Sequence, residues 1–386
     1  MDKLIRITTV PVSLLILLKS QLKFMSNHYE VIAVSSGGEI LDQVRDQTGV
    51  KTIPVEMTRK ITPLKDLVAL WNLYQLIKKE RPKLVHTHTP KAGLLGMIAA
   101  SMAGVPVRLH TVAGMPLLES TGLRRKILNV VEKITYRFAT KVYPNSNELK
   151  KIILENNYCK NSKLHVIGNG SSNGIDINYF NPNLLVGDGT TASASKLALR
   201  DLYNIPYDAI VYCFIGRMVK DKGLKELIKA FLEINMTRPE TRLILVGPFE
   251  NHLDPLDAYT ENQVKNHPCI IWVGFQKDVR PYLFVSDIFT FPSYREGFPN
   301  VVMQAGAMGL PCIVSDINGC NEIIINNENG IIIPSKNAEK LQLAMAELHD
   351  DIQLRSKLSK NSRAMILSRY DQNYIWGELL RQYQLN

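Results

Sequence analysis

Cysteine is scarce in this chain. There are five in 386 residues, at positions 159, 213, 269, 312 and 320. The odd number, the wide spacing and the lack of any Cys-x-x-Cys pair exclude a disulfide framework and zinc-site spacing. A reducing compartment is the simple reading. Cys213 and Cys312 sit inside apolar runs, where a thiol serves as a small hydrophobe. Long hydrophobic runs are also missing. The longest early one, Val10 to Leu18, is too short for a bilayer, which takes about 20 residues. It feeds into an amphipathic stretch with no small-residue cleavage site, so a signal peptide is not expected. Zinc fingers, RNP-type aromatic patterns and long basic tails are absent, which argues against nucleic acid as a partner. No Asp-x-Asp pair is present, and the chemistry is expected to need no metal and no cofactor.

What is present is a globular composition, 45% apolar and 21% charged, long enough for two ordinary domains. The formal charge is +10, and it is unevenly spread. Residues 1–190 carry 25 Lys and Arg against 14 Asp and Glu, and the remainder carries 21 against 22. A basic half joined to a near-neutral half suggests that one domain faces something anionic, such as a membrane surface or a diphosphate. The alternative is that these charges only solubilise the domain.

Short apolar runs alternate with amphipathic ones along the whole chain. In the first half the runs 30–36, 83–89, 107–112, 141–146 and 163–170 read as strands. The segment 63–82, opened and closed by proline, reads as a helix, as does the small-residue segment 91–104. The pattern lapses after Phe180, where "GDGTTASAS" reads as a polar linker. Strands at 209–216, 241–247, 270–274, 288–293 and 311–316 then restart it. Such βαβα alternation predicts parallel sheets covered by helices. The expectation is α/β, with two Rossmann-like domains whose parallel sheets face each other across a cleft. The first domain spans 1–185 and is completed by C-terminal helices at 366–386; the second spans 186–365. Several strands end at Gly or Pro, and ligands bind outside such carboxyl ends.

Candidate chemistry sits at those ends. In "GRMVKDKG" Gly216 ends a strand, and Arg217 and Lys222 follow around a turn that opens a helix. Backbone N–H groups, the helix dipole and two cations make a phosphate cradle there; a solvated basic turn is the alternative. The segment is neither GxxxxGK[ST] nor GxGxxG. In "SYREGFPN" Glu296 lies in the loop before a helix opened by Pro299, with Gln304 about two turns on. Glu296 can accept from sugar hydroxyls, or it can be an ordinary helix-start charge. In "VHTHTPKAG" His86 and His88 share one strand face, and too few ligands surround them for a metal. His88 is nearer the strand end, and Lys91, opening the next helix, suits an anionic acceptor; packed core histidines are the alternative. His110 lies in the next strand, with Gly114 in the turn beyond, where glycine allows close approach to a ligand. Asp316, Asn318, Gly319 and Glu322 follow a later strand and read as lining the same cleft as Glu296.

Taken in order, "GRMVKDKG", "LVG", "EGFPNVVMQAGAMGLP" and "SDINGCNEII" resemble the donor domain of retaining GT-B glycosyltransferases of the GT4 family. "VHTHTPKAG", "TVAGMP", "VYPNS" and "NGID" carry the resemblance through the first half, so it covers nearly the whole chain. Within the family it is similar to transferases that build capsular or O-antigen repeat units on an undecaprenyl-diphosphate carrier. The resemblance implies that Arg217 and Lys222 hold the donor diphosphate and that Glu296, the first Glu of a Glu-x7-Glu motif, contacts the donor sugar. It places Gly216, Phe298, Pro299, Asn300 and Val301 around the donor, with His88, Lys91, His110 and Gly114 on the acceptor side. The second Glu of the motif is Gln304 here, an amide that still hydrogen-bonds to ribose. A histidine common in the family's loop is Ala113 here.

The implied reaction moves a hexose or N-acetylhexosamine from a nucleoside-diphosphate sugar, expected to be UDP-linked, to a hydroxyl of a lipid-linked sugar, with retention. The nucleotide sugar is a substrate and not a cofactor. The implied partners are that donor, an undecaprenyl-diphosphate-linked acceptor and an anionic inner leaflet, touched reversibly from the cytoplasm. A UDP-sugar 2-epimerase-like isomerase and a non-catalytic nucleotide-sugar-binding subunit are the alternatives. A glycoside hydrolase would want two facing carboxylates, and only Glu296 is well placed.

Overall fold

A computed structural model describes residues 1–115, 117, 120–187, 189–250 and 254–385. Pro116 of the "TVAGMP" loop and Asp188 of the expected linker lie outside the described residues. The chain forms two compact units, Met1–Gly174 with Gln372–Asn386, and Ile175–Asp371.

The first unit holds a six-stranded parallel sheet: β1 (Lys3–Ile7), β2 (Glu30–Ser35), β3 (Lys51–Pro54), β4 (Leu84–His88), β5 (Val107–Val112) and β6 (Lys141–Pro144), in the order β3-β2-β1-β4-β5-β6. Arg6 stands opposite His86, and His88 opposite Thr111. One face packs on the helices Pro63–Glu80, Pro90–Met102 and Gly122–Phe138 through Leu73, Ile77, Met97 and Tyr136. The other packs on the helical stretch 11–25, the helix Glu39–Thr48 and the last helix, Gln372–Gln384, through Leu14, Leu22, Val44, Leu379 and Tyr383.

The second unit repeats the plan with β7 (Val211–Ile215), β8 (Arg242–Val246), β9 (Ile270–Trp272), β10 (Ile288–Phe291), β11 (Cys312–Ser315) and β12 (Gly330–Ile333), ordered β12-β11-β10-β7-β8-β9. Its inner strands are buried on both faces, which is why they read as unbroken apolar runs. The helix Leu224–Thr237 buries Leu224, Leu227, Ile228, Phe231 and Ile234, the three-and-four spacing of a helix lying on a sheet. In each unit the strand order reverses once, between β1 and β4 and between β7 and β10, and crevices open at the carboxyl ends of such pairs. These are two Rossmann-like parallel sheets, as expected, and the architecture is GT-B.

Four details differ from the sequence reading. The strands β1, β3 and β12 were not anticipated: Arg6 interrupts the apolar run of β1, and β3 and β12 are four-residue edge strands. Residues 163–170 form no strand. Leu164 makes a lone bridge to Val142, and the backbone turns at once, Gly170 N donating to Ile167 O. The units divide at Gly174 and Ile175, before the polar linker, because Ile175 N bonds Tyr370 O and Phe180 is buried in the second core. The helix Ile352–Tyr370 stays with the second unit, burying Leu358, Ile366 and Tyr370 there, so only the last helix returns to the first. Among the described residues no helix is long and apolar enough to cross a membrane.

Candidate functional site

In the second unit the reversal brings two loops together. β7 runs out through Gly216 and Arg217 into a 3-10 turn, Lys220–Lys222, and β10 runs out through Pro292 into Ser293. The loops pack so closely that residue 223 must be glycine: its φ is +71°, and a Cβ would lie 2.1 Å from Pro292 O. The contact carries Lys222 to Glu296, Nζ to Oε1 at 2.5 Å, with both side chains mostly buried. Ser293 Oγ also donates to that carboxylate oxygen, at 3.0 Å. The two motifs read separately in the sequence are thus one ion pair.

The Glu296 loop is braced from the β11 side. Asn318 Nδ2 donates to Glu296 O at 3.1 Å and to Gly297 O at 2.6 Å. Gly319, at φ +77°, lies so close that a Cβ would sit 2.5 Å from Gly297 O. Asn318 and Gly319 therefore hold the loop from behind. Beyond Glu296, Phe298 stacks edge-on against Tyr370, Pro299 caps the helix Asn300–Ala307, and Asn300 and Val301 form its start, where backbone N–H groups lack helical acceptors. Gln304 is half-buried on that helix, and no hydrogen bond joins it to Glu296.

Arg217 pairs with Glu250 Oε2 at 2.9 Å and keeps more than a third of its side chain exposed. Glu250 was not singled out from the sequence; its signal is its place just after the strand-ending Gly247 of β8. Asp221 takes Arg295 at 2.7 Å. The turn is therefore a ring of alternating charges. Two of its cations can turn to an incoming dianion once their carboxylate partners yield, and Arg217 offers a planar fork for phosphate oxygens.

In the first unit the expected acceptor-side residues separate. His88 ends β4 and is buried, its Nε2 held by Arg6. Lys91 is tied to Asp66 at 2.7 Å. His110 lies on the opposite sheet face, bonded to Thr87 Oγ1 at 2.8 Å, under the helix at Gly93, where a Cβ would meet its ring at 2.5 Å. Burial pulls the His110 imidazole down to about 4. Gly114 has no neighbouring atom within 4 Å of where a Cβ would stand. Among the described residues no group of three or more His, Cys, Asp or Glu could hold a metal ion.

Known proteins match both units. The family model for glycosyl transferases group 1 matches residues 196–365, and the glycosyl transferase 4-like domain matches residues 25–170. The chain is 32% identical over 386 residues to the capsular polysaccharide biosynthesis glycosyltransferase CapM of Staphylococcus aureus, covering 99% of this chain and 97% of that one. It is 32% identical over 342 residues to the UDP-Gal:alpha-D-GlcNAc-diphosphoundecaprenol alpha-1,3-galactosyltransferase of Escherichia coli, covering 86% and 83%. In fold it is similar to a glycosyltransferase from Rickettsia africae ESF-5, with TM-score 0.81 and 21% identity over 99% of this chain and 98% of that one. It is also similar to Anabaena Alr3699/HepE in complex with UDP-glucose, with TM-score 0.78 and 18% identity over the full length of both.

Proposed function

The chain belongs to the group 1 glycosyltransferases, as an enzyme that moves a sugar from a nucleoside diphosphate to a sugar acceptor, and on that premise we propose a finer reading. It is a retaining transferase that takes a hexose or N-acetylhexosamine from a UDP-sugar. The acceptor is a hydroxyl of an undecaprenyl-diphosphate-linked sugar, in surface polysaccharide biosynthesis at the cytoplasmic face of a membrane. The observation that carries it is the Lys222–Glu296 pair at the ends of β7 and β10. A cation for a departing diphosphate and a carboxylate for a sugar stand side by side there, with Arg217 on the same loop.

In this reading Arg217 and Lys222 take the donor diphosphate. The bond from the anomeric carbon to the phosphate oxygen breaks with its electron pair on that oxygen. Lys222 and Arg217 stabilise the charge as it develops, which is where electrostatic catalysis acts. The acceptor hydroxyl attacks the same face of an oxocarbenium-like sugar and passes its proton to the departing phosphate oxygen. Glu296 holds the sugar's hydroxyls and offsets the positive ring, and no side chain serves as nucleophile. Gly216, Phe298, Pro299, Asn300, Val301 and Gln304 surround the nucleotide, Gln304 bonding the ribose through its amide.

The relatives' acceptors support the lipid carrier: the E. coli protein is described as acting on a diphosphoundecaprenol sugar, and a Campylobacter jejuni relative, 29% identical over 92% of this chain and 90% of that one, on a diphospho-undecaprenol one. Membrane contact is supported by the basic first half and by the helix Pro63–Glu80, which exposes Leu64, Leu67, Val68 and Trp71 in one stripe. Basic groups near an anionic leaflet contribute about 1 kcal/mol each.

The test is release of nucleoside diphosphate from a panel of UDP- and GDP-sugars, with membrane lipid extract as acceptor. Release from one UDP-sugar that depends on the lipid fraction is the expected result. Release from a GDP-sugar alone, or equal release without lipid, would overturn the donor or the acceptor assignment respectively.

A further inference from the structure

Arg6 is wholly buried in β1, an unusual place for a guanidinium. Its partners are all neutral. Nε and Nη2 reach His88 Nε2 at 3.1 and 2.8 Å, Nη1 reaches Tyr383 Oη at 3.1 Å, and Nη2 also bonds Gln21 Oε1. Among the described residues no carboxylate pairs with it, and burial alone pulls its pKa down. A buried charge without a counter-charge costs several kcal/mol, so the fold retains this one against a large penalty.

The guanidinium also fixes the protons around it, because it can only donate. His88 Nε2 must therefore be an acceptor, and the ring's one proton sits on Nδ1. Among the described residues Nδ1 has no hydrogen-bond partner, and 8% of the residue is exposed. On the other side Tyr383 Oη, which accepts from Arg6, lies 2.5 Å from His86 Nδ1, and His86 Nε2 lies 2.8 Å from Thr111 Oγ1. The ionisable groups around His88 are Arg6 on β1, His86 beside it on β4, His110 on β5 and Tyr383 on the last helix; none is an acid that would favour an imidazolium. Burial and the Arg6 charge hold His88 neutral.

The next residue is strained. Thr89 has φ +86°, rare for a β-branched side chain, and is held there by Thr9, Oγ1 to Oγ1 at 2.7 Å. It starts the helix Pro90–Met102, whose amino end adds positive potential at the same point. Lys91, the obvious surface cation, is occupied by Asp66.

We propose that Arg6 and His88 form a phosphoryl-recognition site at the carboxyl ends of β1 and β4, His88 donating through Nδ1 to a phosphate oxygen of the lipid-linked acceptor. Arg6 touches no ligand. It is the positioning residue that sets the histidine's tautomer, and its uncompensated charge is answered by the anion. This rests on the diphosphate-linked acceptor of the reading above.

The test uses protein labelled with nitrogen-15 histidine and saturated with UDP, so that the donor site is filled. His88 is expected to be the Nδ1–H tautomer, without titrating from pH 5.5 to 8. Inorganic pyrophosphate should shift its Nδ1 resonance and leave His110 unmoved. Arg6→Lys, which keeps the charge, should retain the pyrophosphate shift but mix the tautomers. Arg6→Gln should weaken pyrophosphate at least tenfold. A His88 resonance that titrates, or that ignores pyrophosphate while UDP is bound, would overturn the site. If Arg6→Gln does not fold, the wild-type tautomer and the His88→Phe response to pyrophosphate decide alone, since an unchanged affinity in His88→Phe also overturns it. Failure of UDP to bind would instead count against the donor assignment.

Discussion

The two units share one strand order and place opposite chemistry at its reversal. In the second unit the charges stand on loops, each cation has a carboxylate, and Arg217 and Glu250 remain open to water. In the first, Arg6, His86 and His88 stand inside the strands, buried, and among the described residues the one charge has no carboxylate partner. Loop ion pairs can exchange partners when a ligand arrives. A charge locked in a strand cannot move, so it acts by orienting its neighbours.

The largest break in this comparison comes from Lys222→Ala. It should lower kcat by about 100- to 1000-fold, as loss of one group that stabilises developing charge typically does. Steady-state nucleotide release measures it, and a loss confined to KM would show that Lys222 binds without stabilising departure. Next is acid. The folded His110 stays neutral down to about 4, while the unfolded chain takes up a proton near 6.5. The unfolded state binds more protons in that window, so stability is full above pH 6.5 and falls as pH drops toward 4, by roughly 3 kcal/mol from this residue alone. His86 and His88, lowered by burial, act in the same direction. Denaturant melts across this range should show the first unit failing first, and His110→Gln should flatten the slope.

Gly319→Ala comes third. The methyl would press on Gly297 O, and strain of this kind costs about 1–3 kcal/mol. Activity should fall further than the melting temperature, because the displaced loop carries Glu296. The smallest effect is expected from Gln304→Glu. An amide and a carboxylate both accept from ribose hydroxyls, so UDP affinity measured by calorimetry should change only a few-fold.

The fold was legible where strands were buried and mostly apolar, as in β7, β8 and β10, each ended by a turn residue. It was not legible at β1, because a buried strand containing Arg6 looks polar until its partners are known. The same holds for the sites. Arg217, Lys222 and Glu296 lie in short motifs, and their residue types announce charge. Their pairing with each other and with Glu250 depends on two loops meeting over Gly223, which no local pattern encodes. The Arg6 network is further out of reach, since it joins positions 6, 21, 86, 88 and 383.

The return of the last helix, Gln372–Gln384, to the first unit has a consequence for synthesis. Tyr383 is one partner of Arg6, 377 residues away, and Ile375, Leu379 and Tyr383 cover part of the same apolar face. Domains fold as they leave the ribosome, the amino-terminal one usually first. Here the earlier unit begins first and finishes last. It waits through the translation of the whole second unit with a bare apolar surface and with Arg6 Nη1 lacking its Tyr383 partner. A ribosome that stalls or stops short of the final helix would release a chain whose second half is finished and whose first half is open, a natural substrate for chaperones and proteases.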